Sequence, residues 1–382
     1  MRALIAAGGT AGHINPALAI ADKIINVLPE SKVMFVGTPV GMEAKLVKNA
    51  GYDFVGIKME GIQRGLSLTN IKRNVRAAYY YGAAFPQVKK LINEFRPDVC
   101  IGTGGYVCGA VLREAAKMKV KTATHESNSL PGITTKLLTK TADKVFLASQ
   151  DCLTHLRHTE NCIVTGNPLR NNVPIEEKHT ARKRLGLPEG FTVLSLGGSL
   201  GANRISTAVA ELMRWEQKKG GINHIHSYGG NGRDTFWGLL EENGVDKTSD
   251  RLILKEYIDN MYTCMCAADL IISRAGSMTL TEIMAIGRAA ILVPFPQAAE
   301  NHQYYNALTL VDANAALLRE DKELDGKWLI ETVSDLFADR ARLEIMGENA
   351  RKMAKTNAAD VILSEIIDLV GADKAIEAEP LQ

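Results

Sequence analysis

Leu4-Ile5-Ala6-Ala7-Gly8-Gly9-Thr10-Ala11-Gly12-His13 and Val193-Leu194-Ser195-Leu196-Gly197-Gly198-Ser199-Leu200-Gly201-Ala202 are two copies of one pattern, an apolar run that ends in a glycine turn. A glycine-rich turn between a strand and a helix lets backbone N–H groups approach an anion at the helix N-terminus. It also serves simply to make a tight strand–helix turn, and spacing alone leaves both readings open. A third such turn, Gly102-Thr103-Gly104-Gly105, follows another apolar run and favours phosphate binding. The copies differ where chemistry enters: Thr10 becomes Ser199, and His13 becomes Ala202.

Outward from these loops, short apolar runs alternate with helix-period segments. Ala3–Ala7, Lys32–Val36, Val99–Gly102 and Lys121–Thr124 read as buried strands, with Pro16–Leu28, Gly41–Asn49, Thr69–Tyr81 and Gly109–Lys117 as helices between them. The second half repeats the plan, with strands at Thr192–Leu196, His224–Tyr228, Leu252–Leu254, Leu270–Ser273 and Ala290–Pro294. Helices from Ile205, Met261, Thr279 and Asn301 separate them. Continuous apolar strands alternating with helices predict an α/β fold of parallel sheets covered on both faces. Two doubly wound, Rossmann-like domains facing across a cleft are expected, with ligands at the carboxyl ends of the strands. The expected boundaries are 1–164, 165–356 and a C-terminal helix and tail over 357–382, with the polar Asn167–His179 stretch as linker.

The 382 residues suit two cores. A hydrophobic share of 46% and a net charge of +2 fit a globular chain without the global field that nucleic acid calls for. The six cysteines show no CxxC, so neither a zinc site nor a disulfide framework is expected. His155-x-x-His158 and His224-x-His226 read as surface and strand residues, and no metal site is assigned. From Ala3 to Ala21 there is no formal charge, but Gly8-Gly9-Thr10, His13, Asn15 and Pro16 break the run, so it reads neither as a signal segment nor as a membrane span.

A dehydrogenase is the first rival. Dinucleotide folds place an acidic residue at the end of the second strand. Here those positions read Val36-Gly37-Thr38 and His226-Ser227-Tyr228, and the glycines follow GGxxG rather than GxGxxG. The densest functional text is Ser273–Glu282, "SRAGSMTLTE", followed by Val293–Ala307, "VPFPQAAENHQYYNA". Its Gly276-Ser277-Met278-Thr279 turn brings hydroxyls and free N–H groups to a helix start. Thr279-x-x-Glu282 has the spacing of a capping box, and spacing favours that reading. The alternative makes Glu282 an acceptor for two ribose hydroxyls. Gln303 and Asn306 supply amides that suit sugar hydroxyls.

Taken in order, "GGTAGHINPALAIA", "GTGGYV", "HESNSLPG", "TGNPLR", "LSLGGSLGA", "EYIDNM" and "SRAGSMTLTEIMAIG…VPFPQAAENHQYYNA" resemble the MurG family of bacterial peptidoglycan glycosyltransferases. The resemblance implies the GT-B fold and transfer of N-acetylglucosamine from UDP-N-acetylglucosamine to lipid I, the undecaprenyl-linked N-acetylmuramyl-pentapeptide, giving lipid II with inversion. It places Thr10, Ala11 and Gly12 by the sugar and acceptor diphosphate, and Asn128 and Arg170 in substrate binding. It gives Ser199 the donor phosphate, Ile258 a backbone reading of uracil, and Ser277, Met278, Thr279, Leu280, Thr281 and Glu282 the donor loop and ribose. Gln303 takes a sugar hydroxyl. Ala11, Ser127 and His302 depart from the glycine, glutamine and glutamine that the family carries there. The alternatives are a related UDP-sugar transferase with another lipid acceptor, or a UDP-sugar epimerase or binding protein.

Inverting transfer needs a base for the acceptor hydroxyl, and imidazole titrates nearest neutral pH. That assigns His13 as base on the acceptor-side loop, with Glu126 as second candidate or orienting partner. The other reading makes His13 a helix N-terminal residue with a structural hydrogen bond. Helix N-termini and loop amides serve the leaving UDP, so no cofactor is expected and a divalent cation is stimulatory at most. Lys58, Arg64, Lys72, Arg73, Arg76, Lys89, Lys90 and Arg96 lie among Leu66, Leu68, Ile71, Val75, Tyr79, Tyr80, Tyr81 and Phe85. By pattern this is a core helix with a basic face; the lipid-linked acceptor shifts the expectation to an anionic membrane surface, with peripheral attachment on the cytoplasmic side.

Overall fold

A computed structural model describes residues 1–61, 67–170, 174–197 and 202–371. The chain divides into two units, Met1–Asn171 with Lys355–Gln382, and Asn172–Ala354. The first unit runs β1 (Arg2–Ala6), α1 (Ala11–Val27), β2 (Lys32–Gly37), α2 (Met42–Asn49), β3 (Asp53–Gly56) and α3 (Leu68–Phe95). It continues through β4 (Val99–Gly102), α4 (Tyr106–Lys117), β5 (Lys121–Glu126), α5 (Ile133–Leu138), β6 (Lys144–Leu147), α6 (Asp151–Thr154) and β7 (Cys162–Val164). The second unit begins with α7 (Lys178–Arg184), β8 (Phe191–Leu196), α8 (Asn203–Lys219), β9 (Ile222–Ser227), α9 (Phe236–Glu242) and β10 (Leu252–Lys255). Then come α10 (Met261–Ala267), β11 (Leu270–Ser273), α11 (Ser277–Ile286), β12 (Ala289–Leu292), α12 (His302–Asp312), β13 (Ala316–Leu318), α13 (Gly326–Ala338) and α14 (Arg340–Met353). The last helix, α15 (Ala358–Val370), returns to the first unit.

The two sheets order as β3-β2-β1-β4-β5-β6-β7 and β10-β9-β8-β11-β12-β13. Pairing is parallel, as between β1 and β4 and between β8 and β11. Strand order reverses at β1/β4 and again at β8/β11, and such reversals open a crevice at the carboxyl strand ends. Each glycine copy follows the strand at its reversal, so the sequence repeat is a repeat of topology. Central strands β4 and β8 are buried at every residue, which is why they read as continuous apolar runs.

Several boundaries differ from expectation. The first helix starts at Ala11, not Pro16, and carries Pro16 inside. Pro16 has no N–H to give the Gly12 carbonyl, which instead accepts the Ser127 hydroxyl at 3.3 Å. His13 therefore stands in the first helical turn rather than in a loop. Strands β3, β6, β7 and β13 went unread; three are sheet edges, short and only partly buried, so their apolar signal is weak. Asn167 and Arg170, expected in the linker, are held within the first unit: Asn167 Nδ2 donates to Ser127 O at 3.2 Å, and Arg170 pairs with Asp22 at 2.7 Å. The C-terminal helix is no separate tail, because Ile362, Leu363 and Ile366 of α15 enter the same core as Ile14, Leu18 and Ile24 of α1. His224 and His226, read as strand residues, do lie in β9, where they are fully buried, His224 between Ser195 of β8 and Glu216 of α8.

Candidate active site

In the first unit three loops leave the carboxyl ends of the adjacent strands β1, β4 and β5. The first two are stitched together: Gly8 N donates to Gly104 O at 3.2 Å, Thr103 N to Ala6 O at 3.1 Å, and Thr103 Oγ1 to His13 O at 2.7 Å. Gly104 and Gly105 have φ of 121° and 91°, a region that favours glycine. Close approach requires glycine there as well. A Cβ on Gly104 would lie 2.4 Å from His13 Cδ2, and one on Gly105 2.6 Å from Gly8 O.

His13 Nδ1 lies 2.9 Å from Gly8 O. A carbonyl only accepts, so Nδ1 carries the proton and the neutral ring keeps its lone pair on Nε2. Thr10, Ala11 and Gly12 surround it: Thr10 is the N-cap residue of α1 with an exposed side chain, and its carbonyl accepts from His13 N at 3.0 Å. Beneath the loop lies Glu43, which the sequence reading did not single out. Its carboxylate accepts from Thr38 N at 2.9 Å, Thr38 Oγ1 at 2.5 Å and Gly9 N at 3.3 Å. Burial would raise its pKa, but the Thr38 and Gly9 hydrogen bonds outweigh it and hold the carboxyl below its ordinary value. An acidic residue in a helix's first turn looks like dipole compensation; no local signal ties Glu43 to a loop across β1 and β2.

Glu126 ends β5 and is buried. Oε1 accepts from Asn128 N and Asn128 Nδ2, both at 3.0 Å, and Oε2 from Gly132 N at 3.0 Å and Thr135 Oγ1 at 2.6 Å. Four donors occupy the carboxylate, so this geometry suits orienting Asn128 and the loop into α5 better than receiving a substrate proton. Ser127 joins this loop to α1 through Gly12 O. Arg170 stands apart. Its partner Asp22 is nine residues along α1 from His13, about 14 Å at helical rise.

In the second unit Ser199 lies outside the described residues. The described part of that loop, Gly197, donates to Ser227 O at 3.4 Å. After β11, Gly276 is the N-cap of α11 and no side chain caps the helix. Thr279 and Glu282 sit inside α11, so the capping box is overturned. Ser277 and Met278 form the first turn, and Thr281 Oγ1 donates back to Ser277 O at 2.9 Å while Leu280 packs into the core. Glu282 stays partly buried and accepts only a long contact from Tyr262 OH, 3.4 Å. Burial raises its carboxyl to about 7 against the smaller pull of Tyr262. Such a half-neutral carboxylate, one helical face from Ser277 and Met278, is primed to take donors from outside.

The buried side chain of Ile258 anchors the loop after β10. Gln303 stands in the first turn of α12 and its Oε1 accepts from Phe295 N at 2.9 Å. Just before it, Glu300 and Asn301 both adopt φ near +55°, uncommon for non-glycine residues. His302 Nδ1 bonds Ala299 O at 2.8 Å, whereas Asn306 is buried and donates to Ala275 O at 3.3 Å, a structural amide.

Among the described residues no group of three His, Cys, Asp or Glu is placed to hold a metal ion, and no helix is long and apolar enough to cross a membrane. On α3, Ile71, Val75 and Tyr79 form one exposed stripe at helical spacing, with 48%, 67% and 70% of their surface open. Lys72 and Arg73 flank it in solvent, while Arg76 pairs with Glu60 at 2.7 Å. Arg64 and Leu66 lie outside the described residues.

The sequence profile of the glycosyltransferase family 28 N-terminal domain matches residues 3–147, and that of the family 28 C-terminal domain matches 192–362. A relative from Desulforamulus reducens, named UDP-N-acetylglucosamine--N-acetylmuramyl-(pentapeptide) pyrophosphoryl-undecaprenol N-acetylglucosamine transferase, is 38% identical over 97% of this chain and 98% of its own. One of the same name from Acetivibrio thermocellus is 37% identical over 97% and 98%. The crystal structure of MurG from Acinetobacter baumannii superposes with a TM-score of 0.76 at 25% identity, covering 96% of this chain and 99% of that one. A UDP-GlcNAc 2-epimerase from Neisseria meningitidis reaches a TM-score of 0.63 over 96% of this chain and 100% of its own, but at 16% identity, which bears on the fold alone.

Proposed function

The chain belongs to glycosyltransferase family 28, among the transferases that act between UDP-N-acetylglucosamine and N-acetylmuramyl-(pentapeptide) pyrophosphoryl-undecaprenol, and from that membership we infer the chemistry of its loops. It is a UDP-N-acetylglucosamine-dependent glycosyltransferase of peptidoglycan synthesis, moving N-acetylglucosamine onto lipid I to give lipid II. His13 is the base. Its Nε2 takes the proton of the acceptor's 4-hydroxyl as that oxygen bonds to the anomeric carbon and the bond to UDP breaks on the opposite face, inverting the centre. The observation that carries this is the Nδ1–Gly8 O hydrogen bond, which leaves Nε2 as the unprotonated atom.

Thr10, Ala11, Gly12 and Asn128 hold the acceptor side, with Glu126 positioning Asn128. On the donor side, Ser199 and the Ser277–Thr281 turn meet the diphosphate, Glu282 accepts ribose hydroxyls, Ile258 presents backbone to uracil, and Gln303 reads the sugar. Arg170 joins them once it leaves Asp22. The start of α11 offers unsatisfied N–H groups and a positive dipole end for the departing UDP charge, so a metal ion is not essential to this reading. Attachment is peripheral, at an anionic membrane on the cytoplasmic side, through the α3 stripe and its basic flank.

UDP release from UDP-N-acetylglucosamine, measured with and without lipid I, tests the function. Release that depends on lipid I is expected, and persists in chelator. Consumption of the donor without acceptor points instead to an epimerase, and donor binding without turnover to a binding protein.

A further inference from the structure

A cavity of about 240 Å³ opens in the second unit between α7, the N-terminal ends of β11 and β12, and one face of α14. It lies at the edge of the sheet opposite the carboxyl ends that carry the nucleotide loops. Asp269, in its wall, is already satisfied by Lys178 at 2.8 Å, Arg182 at 2.6 Å and Thr192 N at 2.8 Å. Three further guanidinium groups line it, from Arg288, Arg340 and Arg351. None pairs with a carboxylate among the described residues. Arg288 is 8% exposed and donates to Cys266 O and Gly287 O, but its buried Nε meets no acceptor. Arg340 rests on the Phe191 and Phe337 rings at 4.1 and 4.5 Å, and Arg351 gives one bond to Ile286 O at 2.9 Å. Glu344 and Glu348 also line the cavity, both solvent-exposed and without an ion pair to these arginines.

A buried guanidinium with an unmet N–H is costly unless something supplies the missing acceptor. Burial, with smaller contributions from Arg351 and Arg182, draws Arg288 below its ordinary pKa against the pull of Cys266 and Asp269. Planar guanidinium forks match tetrahedral oxyanions, and three around one cavity suit more than a single negative charge. We propose that this cavity is a second anion site, separate from the nucleotide loops, which binds a phosphate-class oxyanion between Arg288, Arg340 and Arg351. The group comes either free in solution or on a lipid headgroup.

The test titrates inorganic pyrophosphate into the full chain in saturating UDP, so that the nucleotide loops are occupied, and follows binding by calorimetry and ³¹P line broadening. One saturable site is expected, weakened about tenfold in Arg340→Gln with the thermal transition and UDP affinity retained. Glu344→Gln with Glu348→Gln, exposed changes that remove repulsion, should tighten it about threefold and does not depend on how Arg340→Gln folds. Vesicles with and without phosphatidate, offered to the chain with Lys72→Glu and Arg73→Glu so that α3 does not contribute, separate the sources: phosphatidate-dependent binding lost on adding Arg340→Gln places the anion on a lipid, and no phosphatidate-dependent binding places it in solution. Absence of saturable pyrophosphate binding, or affinity indifferent to both sets of substitutions, overturns the site.

Discussion

At the scale of the residue, the two glycine copies differ most at one position, His13 in the first and Ala202 in the second. His13 was legible as a candidate base from the repeat itself, since one copy bears an imidazole and the other an alanine. Its tautomer was not, because Gly8 O becomes its partner only when α1 begins at Ala11. Glu282 is the opposite case: its spacing pointed to a cap, and folding placed it in mid-helix as a carboxyl pushed to about 7 by burial. The folded state thus holds that proton more tightly than an unfolded chain near 4.5. The resulting stabilisation is full below about 4.5 and lost as pH rises to about 7. Glu282→Gln should therefore match the wild type at low pH and exceed it above neutrality, by about 2–3 kcal/mol, in denaturant unfolding of the free protein. Equal pH dependence in the two proteins would contradict the assignment, and donor affinity should fall in the variant at every pH.

At the scale of the element, the loop between β5 and α5 is organised by one carboxylate. Glu126→Gln replaces an acceptor of four bonds with an amide that accepts at one atom, and should cost about 2–3 kcal/mol of stability. Turnover should drop through looser Asn128, with the pH profile of the remaining activity unchanged; a profile that lost its acidic limb would make Glu126 the base. Central elements were readable because β4 and β8 are buried on both faces and leave unbroken apolar text. Edge strands such as β3 and β13 are half-covered and four or three residues long, so nothing in their composition separates them from loops. The first helix starts earlier than Pro16 for a different reason: a proline normally marks a helix start, but here it lies inside α1, with the Ser127 hydroxyl donating to the Gly12 carbonyl that the proline leaves without an N–H.

At the scale of the whole molecule, the chain leaves its first unit once and returns to it, closing with α15 against α1. That return is invisible in the sequence, where a terminal amphipathic helix has no address. The exposed Ile71–Val75–Tyr79 stripe belongs to this scale too, because only tertiary packing decides which face of α3 stays in water. Reversing Lys72 and Arg73 to glutamate should abolish flotation with anionic liposomes while UDP binding is retained, and unchanged flotation would discard that surface. The account as a whole turns on the proposal that His13 is the base for transfer from UDP-N-acetylglucosamine. It is tested most directly by the lipid I-dependent turnover of His13→Ala, with UDP-N-acetylglucosamine affinity measured alongside. A fall of about a hundredfold or more at unchanged donor affinity is expected; a rate near that of the wild type would contradict it.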